Sequence, residues 1–193
     1  MKTLIINGSP RPKGDTQNLI SRLLPMLEGE IVTVNAYRDN IHACIDCRMC
    51  WKNPGCAVKD GMAAIYDAMQ DCDNILLASP VYYRNLTPPV INILTRMQIL
   101  YAAQRFHGID LQGPRKKGAL LLLGGGSGKP DMAQTTGRML LHQLNAWDLL
   151  DPVMYLDTDN VPACDLPMLD EELKKIAEHF NKKSIKYGNI FDF

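Results

Sequence analysis

The chain has 193 residues, of which 46% are apolar and 22% charged, and these values are typical of one globular domain. Its 21 basic side chains balance 21 acidic ones, and a net charge of zero argues against nucleic acid or an anionic membrane surface as a partner. Because no apolar run reaches the roughly 18 residues of a membrane span and none at the start resembles a signal peptide, we expect a cytoplasmic protein without a membrane partner.

Apolar patterning predicts strands and helices in alternation. Apolar runs bounded by turn residues indicate buried strands, and apolar residues three or four positions apart indicate helices. The predicted elements, in chain order, are the strand Thr3–Asn7, a helix capped by Thr16, the strand Glu30–Asn35, the helix Gly61–Met69, the strand Asn74–Ser79, a helix beginning at Thr87-Pro88-Pro89, the strand Lys117–Leu123, the helix Met132–Trp147, the strand Pro152–Leu156 and the helix Met168–Tyr187. This alternation predicts an α/β fold with a doubly wound parallel sheet of five strands and helices on both faces.

The loop after the first predicted strand carries groups that bind phosphate. Over Asn7–Asn18 it holds two glycines, an arginine, the hydroxyls of Ser9 and Thr16, and the start of a helix. Backbone N–H groups, a helix N-terminus and hydroxyls together stabilise a phosphate group. The alternative is a tight turn with an ordinary capping threonine. A dinucleotide-binding loop is excluded, because Pro10 interrupts the G-x-G-x-x-G pattern that such a loop requires.

Three segments resemble the flavin-binding loops of the NADPH-dependent FMN reductase family of flavodoxin-like proteins. Gly8-Ser9-Pro10-Arg11, followed by Gly14 and Thr16-Gln17-Asn18, resembles the loop around the FMN phosphate. The segment Ser79-Pro80-Val81-Tyr82-Tyr83-Arg84-Asn85 is similar to the loop along the isoalloxazine ring. The glycine-rich stretch Gly124–Gly128 is similar to the segment on the far side of that ring.

The resemblance implies one flavodoxin-like FMN-binding domain over residues 1–193, with strand order 2-1-3-4-5 and FMN at the switch point between strands one and three. The residues that it implies around the phosphate are Ser9, Arg11, Thr16, Gln17 and Asn18. The residues that it implies along the ring are Pro80, Val81, Tyr82, Tyr83, Arg84, Gly125 and Gly126. For the two tyrosines, packing at the end of the strand is the alternative.

A long irregular loop at about residues 40–60 carries four of the six cysteines. Cys44, Cys47, Cys50 and Cys56 are spaced C-x2-C-x2-C-x5-C. Three thiolates at that pitch can surround one corner of a cubane cluster and the fourth can close it, whereas zinc usually takes two separated pairs. The spacing is similar to that of the iron–sulfur flavoproteins, which implies these four cysteines as ligands of a 4Fe–4S cluster. The alternative is four reduced thiols in a loop over the flavin.

The resemblance implies an FMN-dependent oxidoreductase in which NAD(P)H, or a reduced ferredoxin-like protein, passes electrons through FMN to an acceptor. The flavin carries the chemistry, so no catalytic side chain is required. The alternatives are an electron carrier that relays electrons between FMN, a 4Fe–4S cluster and a protein donor, and a thiol-based redox sensor. We expect a homodimer or homotetramer, because several apolar side chains need cover: Met49, Trp51, Ile190, Phe191 and Phe193.

Overall fold

The computed structural model describes residues 1–126 and 128–183. The end of the predicted last helix, up to Tyr187, and the apolar tail residues Ile190, Phe191 and Phe193 lie outside the described residues. Within the two described ranges, no helix combines the length and the apolar character that are needed to cross a membrane.

Strands and helices alternate through the described residues. The strands are β1 (Lys2–Asn7), β2 (Glu30–Asn35), β3 (Asn74–Pro80), β4 (Lys116–Leu123), β5 (Ala146–Leu149) and β6 (Val153–Tyr155). The helices are α1 (Asp15–Leu23), α2 (Met49–Lys52), α3 (Met62–Asp71), α4 (Pro88–Arg96), α5 (Gln98–Ala102), α6 (Asp131–Gln143) and α7 (Met168–Asn181). Short 3-10 turns occupy Leu24–Met26 and Ala163–Asp165, and a π-helical turn occupies Ala103–His107.

All strand pairs are parallel, in the order β2-β1-β3-β4-β5, and this order confirms the sequence prediction. β1 lies in the middle, so that Thr3 pairs with Ile31 on one side and with Asn74 on the other. The predicted strand Pro152–Leu156 corresponds to β6, which pairs with β4 further along the same edge as β5. Because the chain turns to opposite sides after β1 and after β3, a crevice opens where these two strands end.

The central strands β1, β3 and β4 are buried on both faces, as is typical of a parallel sheet covered by helices. Along β1, Leu4 and Ile6 belong to one apolar layer, and Ile5 belongs to the other. The first layer packs against α3, α4 and α6, and the second packs against α1 and α7. The predicted doubly wound arrangement is therefore confirmed.

The predicted helix Met132–Trp147 was wrong at its carboxyl end. α6 ends at Gln143, and Asn145 adopts a left-handed conformation with φ of 63°, which ends a helix. The residues that follow form β5 on the edge of β4. Leu144 is buried at helical spacing from Leu140 and Leu141 and at strand spacing from Ala146, so the apolar pattern alone did not show where the helix ends.

The prediction that Thr16 caps α1 was also wrong. The helix begins at Asp15 with Gly14 at its N-cap, and Thr16 lies inside the first turn with 2% of its surface exposed. Asp15 Oδ1 accepts a hydrogen bond of 2.7 Å from the backbone N–H of Ala163, which ties the start of α1 to the segment before α7. A residue with a hydroxyl indicates that a helix begins nearby. Long-range contacts, such as that between Asp15 and Ala163, decide which residue is the first of the helix.

Candidate functional site

A cleft of about 270 Å³ lies at the carboxyl ends of β1, β3 and β4. It occupies the switch point of the sheet, where β1 and β3 lie side by side. Eight of the twelve residues predicted to contact the cofactor line it: Ser9, Arg11, Thr16, Pro80, Val81, Tyr82, Gly125 and Gly126. The other four lie outside its lining, and they are Gln17, Asn18, Tyr83 and Arg84.

Hydrogen bonds fix the loop after β1. Asn7 Oδ1 accepts from the backbone N–H of Ser9 at 2.8 Å, and Asn7 Nδ2 donates to Gln17 Oε1 at 2.9 Å. Gly8 packs so closely on α4 that a Cβ there would lie 2.6 Å from a side chain of that helix. Thr87, the N-cap of α4, donates its hydroxyl to the carbonyl of Gly8 at 2.8 Å. The loop therefore keeps its shape through contacts on the side away from the cleft.

The first turn of α1 contributes Gly14, Asp15 and Thr16 to one end of the cleft. The first N–H groups of a helix have no acceptor within the helix and carry partial positive charge. The side chains of Ser9 and Thr16 supply hydroxyls here, although the two residues are only 3% and 2% exposed. Arg11 adds a permanent positive charge to the same end. This donor set fits a phosphate monoester.

The loop after β3 is a tight turn that contacts the loop after β4. Tyr82 and Asn85 exchange two backbone hydrogen bonds of 2.8 and 2.9 Å. Between them, Tyr83 and Arg84 have positive φ values of 48° and 66°, and Tyr83 is fully exposed. Arg84 Nη2 donates to both carboxylate oxygens of Asp131, at 2.6 and 2.8 Å. This ion pair lowers the pKa of Asp131 and joins two walls of the cleft.

Thr158 and Asp159 also line the cleft, and the sequence analysis missed them. They follow β6, and the backbone N–H of Thr158 donates to the carbonyl of Gly124 at 3.0 Å. A Cβ at Gly125 would overlap the carboxylate of Asp159, so a larger residue there would force the Asp159 side chain to move. A signal for both residues was available, since the carboxyl ends of all parallel strands meet at one edge of a sheet.

The four cysteines of the irregular loop line a second cavity, of about 30 Å³. Cys44 and Cys47 precede α2 in irregular backbone, Cys50 lies in α2, and Cys56 follows it. All four are free thiols. Within residues 1–126 and 128–183, no three His, Cys, Asp or Glu side chains converge closely enough to hold a single metal ion. The loop thus arranges four thiols around one space without forming a single-ion site.

Aromatic contacts hold α2 in position beside this cavity. Trp51 stacks on Phe106 with 4.8 Å between ring centroids, and Arg48 lies 4.8 Å from the centroid of Trp51. His107 Nε2 lies 2.9 Å from the carbonyl oxygen of Cys50. Burial raises the pKa of the Cys50 thiol, a backbone hydrogen bond opposes that rise, and the three neighbouring cysteines add to it. The thiol form is therefore favoured at neutral pH when no cation is present.

A buried ion pair fixes both ends of the cysteine loop. Arg96 Nη1 donates to Asp60 Oδ2 at 2.7 Å, and the two side chains are 1% and 2% exposed. Arg96 also donates to the carbonyls of His42 and Val58, at 3.1 and 3.2 Å, on either side of the four cysteines. Burial opposes ionisation of Asp60, but hydrogen bonds from Arg96 and from two backbone amides lower its pKa overall. Arg96 lines the cysteine cavity, and the sequence analysis missed it.

Comparison with known proteins identifies relatives over most of the chain. The family described as NADPH-dependent FMN reductase matches residues 1–161. An iron–sulfur flavoprotein of Archaeoglobus fulgidus is 32% identical over 193 residues, which cover 95% of this chain and 82% of that protein. An iron–sulfur flavoprotein of Methanocaldococcus jannaschii is 30% identical over 103 residues, which cover 52% of this chain and 53% of that protein.

The fold is shared with a solved flavoenzyme structure, that of an FMN-dependent NADH-azoreductase from Bacillus anthracis in complex with FMN. The TM-score is 0.68 and the identity 14%, over 94% of this chain and 100% of that one, so the likeness establishes the fold alone. The family match over residues 1–161 is more informative, because it spans β1 to β6 and includes every residue that lines the larger cleft. The chain therefore belongs to the NADPH-dependent FMN reductase family, as its loops indicated, and it is an FMN-dependent oxidoreductase.

Proposed function

We propose that the cleft binds FMN with its phosphate at the N-terminus of α1 and its isoalloxazine ring between the loops after β3 and β4. One observation carries this proposal, namely that the switch point gathers a helix N-terminus, two buried hydroxyls and two backbone walls into one cleft. FMN held there would supply redox chemistry between an electron donor and an acceptor. The protein binds and orients the reactants and keeps the flavin at the mouth of the cleft.

The phosphate is assigned to side chains and backbone at the start of α1. Ser9 and Thr16 offer hydroxyl donors, and Arg11 offers a guanidinium group with several N–H donors. Gln17 lies outside the lining and holds Asn7, which in turn orients the backbone N–H of Ser9. We assign Gln17 this supporting role. Asn18 lies in the same turn of α1, and we assign it likewise to the support of the loop.

The ring is assigned to the two walls joined by the ion pair between Arg84 and Asp131. Pro80–Tyr82 supplies backbone groups on one side, and Gly125 with Gly126 allows close approach of the ring edge on the other. Tyr83 lies beyond the lining at the tip of its turn, so we assign it to the mouth of the cleft. Tyr83 and Arg84 keep their left-handed backbone conformation because the hydrogen bonds between Arg84 and Asp131 hold the turn in place.

The first test concerns the cofactor and the donor. The purified protein is expected to be yellow, to release FMN rather than FAD on denaturation, and to oxidise NAD(P)H steadily with a quinone, a dye or free flavin as acceptor. The cleft has one phosphate-binding end, which suits a mononucleotide. Chromatography of the released flavin and absorbance at the nicotinamide band measure the two results. Bound FAD would contradict the FMN assignment, and a flavin that only a ferredoxin-like protein can reduce would favour the electron carrier.

The second test concerns the phosphate contacts. Thr16→Val removes a hydroxyl from the cleft at nearly constant volume, and Arg11→Ala removes a charge from the exposed loop. A hydrogen bond to a charged group contributes about 1.5–3 kcal/mol. Each variant should therefore bind FMN roughly tenfold to a hundredfold more weakly, as measured by fluorescence quenching of free FMN. Unchanged affinity in both variants would contradict this position of the phosphate. Thr33→Val is the matched control with unchanged affinity, because Thr33 is exposed in β2 and lies outside the lining of the cleft.

We also propose that the smaller cavity holds a 4Fe–4S cluster, bound by Cys44, Cys47, Cys50 and Cys56. The four thiols line one cavity, and a cubane cluster binds each thiolate through a different iron. Such a cluster therefore requires four sulfurs around a volume and not convergence on one point. When bound, it transfers single electrons.

The size of the cavity sets a condition on this proposal. A space of about 30 Å³ must widen to take a cluster. Cys44 and Cys47 are exposed, and residues 41–48 carry no regular secondary structure, so this side of the cavity can move outward without breaking a helix or a strand. Asp46 and Arg48 already have positive φ values, of 47° and 58°, so the loop is not in a relaxed extended form.

We propose a homodimer or homotetramer for the assembly, with the surface around the cysteine cavity as one contact. Apolar side chains are exposed there, including Ile45 at 70%, Met49 at 40% and Phe106 at 42%. Ile45 lines the cysteine cavity, and Phe106 stacks on Trp51, which also lines it, so we propose this surface as the interface. All six cysteines are free thiols, which favours a reducing compartment, and we propose the cytoplasm on that basis.

A further inference from the structure

We propose that Arg96 sets the reduction potential of the iron–sulfur centre, by donating its Nε–H to a sulfur in the cysteine cavity while its Nη groups hold the two ends of the cysteine loop. This inference rests on the proposed cluster. It extends the cluster proposal by giving a positioning role to Arg96, which is not one of the four ligands and lies at the carboxyl end of α4.

The hydrogen bonds of Arg96 are divided between two tasks. The Nη groups are occupied, since they donate to Asp60 and to the carbonyls of His42 and Val58. Nε is different: it is buried and has no hydrogen-bond partner among the described residues. Buried donors nearly always have an acceptor, so one without a partner requires an explanation. The same side chain lines the cavity that the four cysteines surround, and this cavity supplies acceptors for it.

The charge state of Arg96 suits this role. Its guanidinium donates to the carboxylate of Asp60 at 2.7 Å, and the two side chains are 1% and 2% exposed. Because the carboxylate of Asp60 balances the charge of Arg96, the ion pair is neutral overall. The Nε–H of Arg96 remains as a donor without a partner among the described residues.

The effect on the potential follows from the charge that a cluster carries. Reduction adds an electron to a centre that already bears four thiolates and several sulfides. A hydrogen bond donated to one of those sulfurs stabilises the reduced form more than the oxidised form, so it raises the potential. Removing the donor should therefore make the potential more negative. Lysine cannot replace arginine here, because it has no Nε–H at that position and no planar fork for two carbonyls.

The test compares Arg96→Lys with a matched control, Arg22→Lys. Lysine at position 96 keeps a positive charge for Asp60 but lacks the Nε–H. Arg22 also pairs with a carboxylate and donates to a carbonyl, those of Asp170 and Ala163, but its Nε–H is satisfied by Asp170 and it lines neither cavity. Both variants and the parent chain are purified without oxygen and reconstituted with iron and sulfide, with FMN bound.

The measurement is the midpoint potential of the cluster, from a redox titration followed by electron paramagnetic resonance. Arg96→Lys should shift it to a more negative value with the FMN content unchanged, and Arg22→Lys should leave it at the parent value. Loss of iron from Arg96→Lys alone, with FMN retained, would support only the anchoring of the loop by the Nη groups. If Arg96→Lys loses its iron or does not fold, the paired variant Arg96→Met with Asp60→Asn removes both charges and the N–H donor together and should show the same negative shift.

Two results would overturn the inference, and they differ from each other. A cluster of unchanged potential in Arg96→Lys would refute the role of Arg96 and leave the cluster intact. A parent chain that binds FMN but no iron after reconstitution would refute the cluster itself, and Nε would then have no sulfur acceptor of that kind. The iron assay on the parent chain alone distinguishes the second case from the first.

Discussion

Cys50→Ser is expected to abolish iron binding while FMN remains bound. A cubane cluster needs a thiolate on each iron, and a serine hydroxyl is a far poorer ligand for iron than a thiolate. The FMN cleft is built from other segments of the chain, so it should be unaffected. After anaerobic purification and reconstitution, the parent chain should contain about four iron atoms and about four acid-labile sulfides per FMN, and the variant almost none.

Cys164→Ser is the matched control for this experiment. Cys164 is exposed and lies outside the cysteine cavity, so its replacement should leave iron and FMN at the parent level. Equal loss of iron from both variants would point to general damage and not to a ligand. Full FMN with negligible iron in the reconstituted parent chain would contradict the cluster and leave four thiols in the loop.

Asp60→Ala is expected to lower the free energy of unfolding by about 3–5 kcal/mol, because it leaves the guanidinium of Arg96 buried without its carboxylate. It also removes the acceptor for the backbone N–H of His42, at the start of the cysteine loop. Urea denaturation followed by circular dichroism measures the change. The control is Asp170→Ala, which breaks the ion pair between Arg22 and Asp170. Because the Asp170 side chain is 41% exposed, the free energy of unfolding should fall by at most about 1 kcal/mol.

The stability gap between the parent chain and Asp60→Ala should depend on pH. The pKa of Asp60 is lower in the folded protein than its ordinary value of 3.8, so its stabilising contribution is fully present above that value. The contribution is lost as the pH falls through the lowered pKa of the folded state. The gap should therefore narrow in strong acid. A gap that stays constant from neutral pH into acid would show that the carboxylate charge is not its source.

The sequence by itself determined the features that depend on neighbours in the chain. Parallel strands covered on both faces are continuously apolar, which is why the runs Thr3–Asn7 and Asn74–Ser79 predicted central strands of the sheet. The loop between Ser9 and Thr16 could be predicted as part of the cleft for a similar reason. Its hydroxyls, its arginine and the helix N-terminus all fall within one short connection, so their order along the chain already brings them together.

Only the tertiary structure decided which distant residues meet. The edge of β4 made a strand of Ala146–Leu149, where the local pattern favoured the continuation of a helix. Asp159 lines the cleft because β6 pairs with β4. Arg96 contacts the cysteine loop because α4 packs against that loop. Each of these depends on contacts between residues far apart in sequence, where burial and hydrogen bonding outweigh local preference. For β5 and for Arg96, no spacing along the chain carries that information, because sheet order and helix packing set those distances.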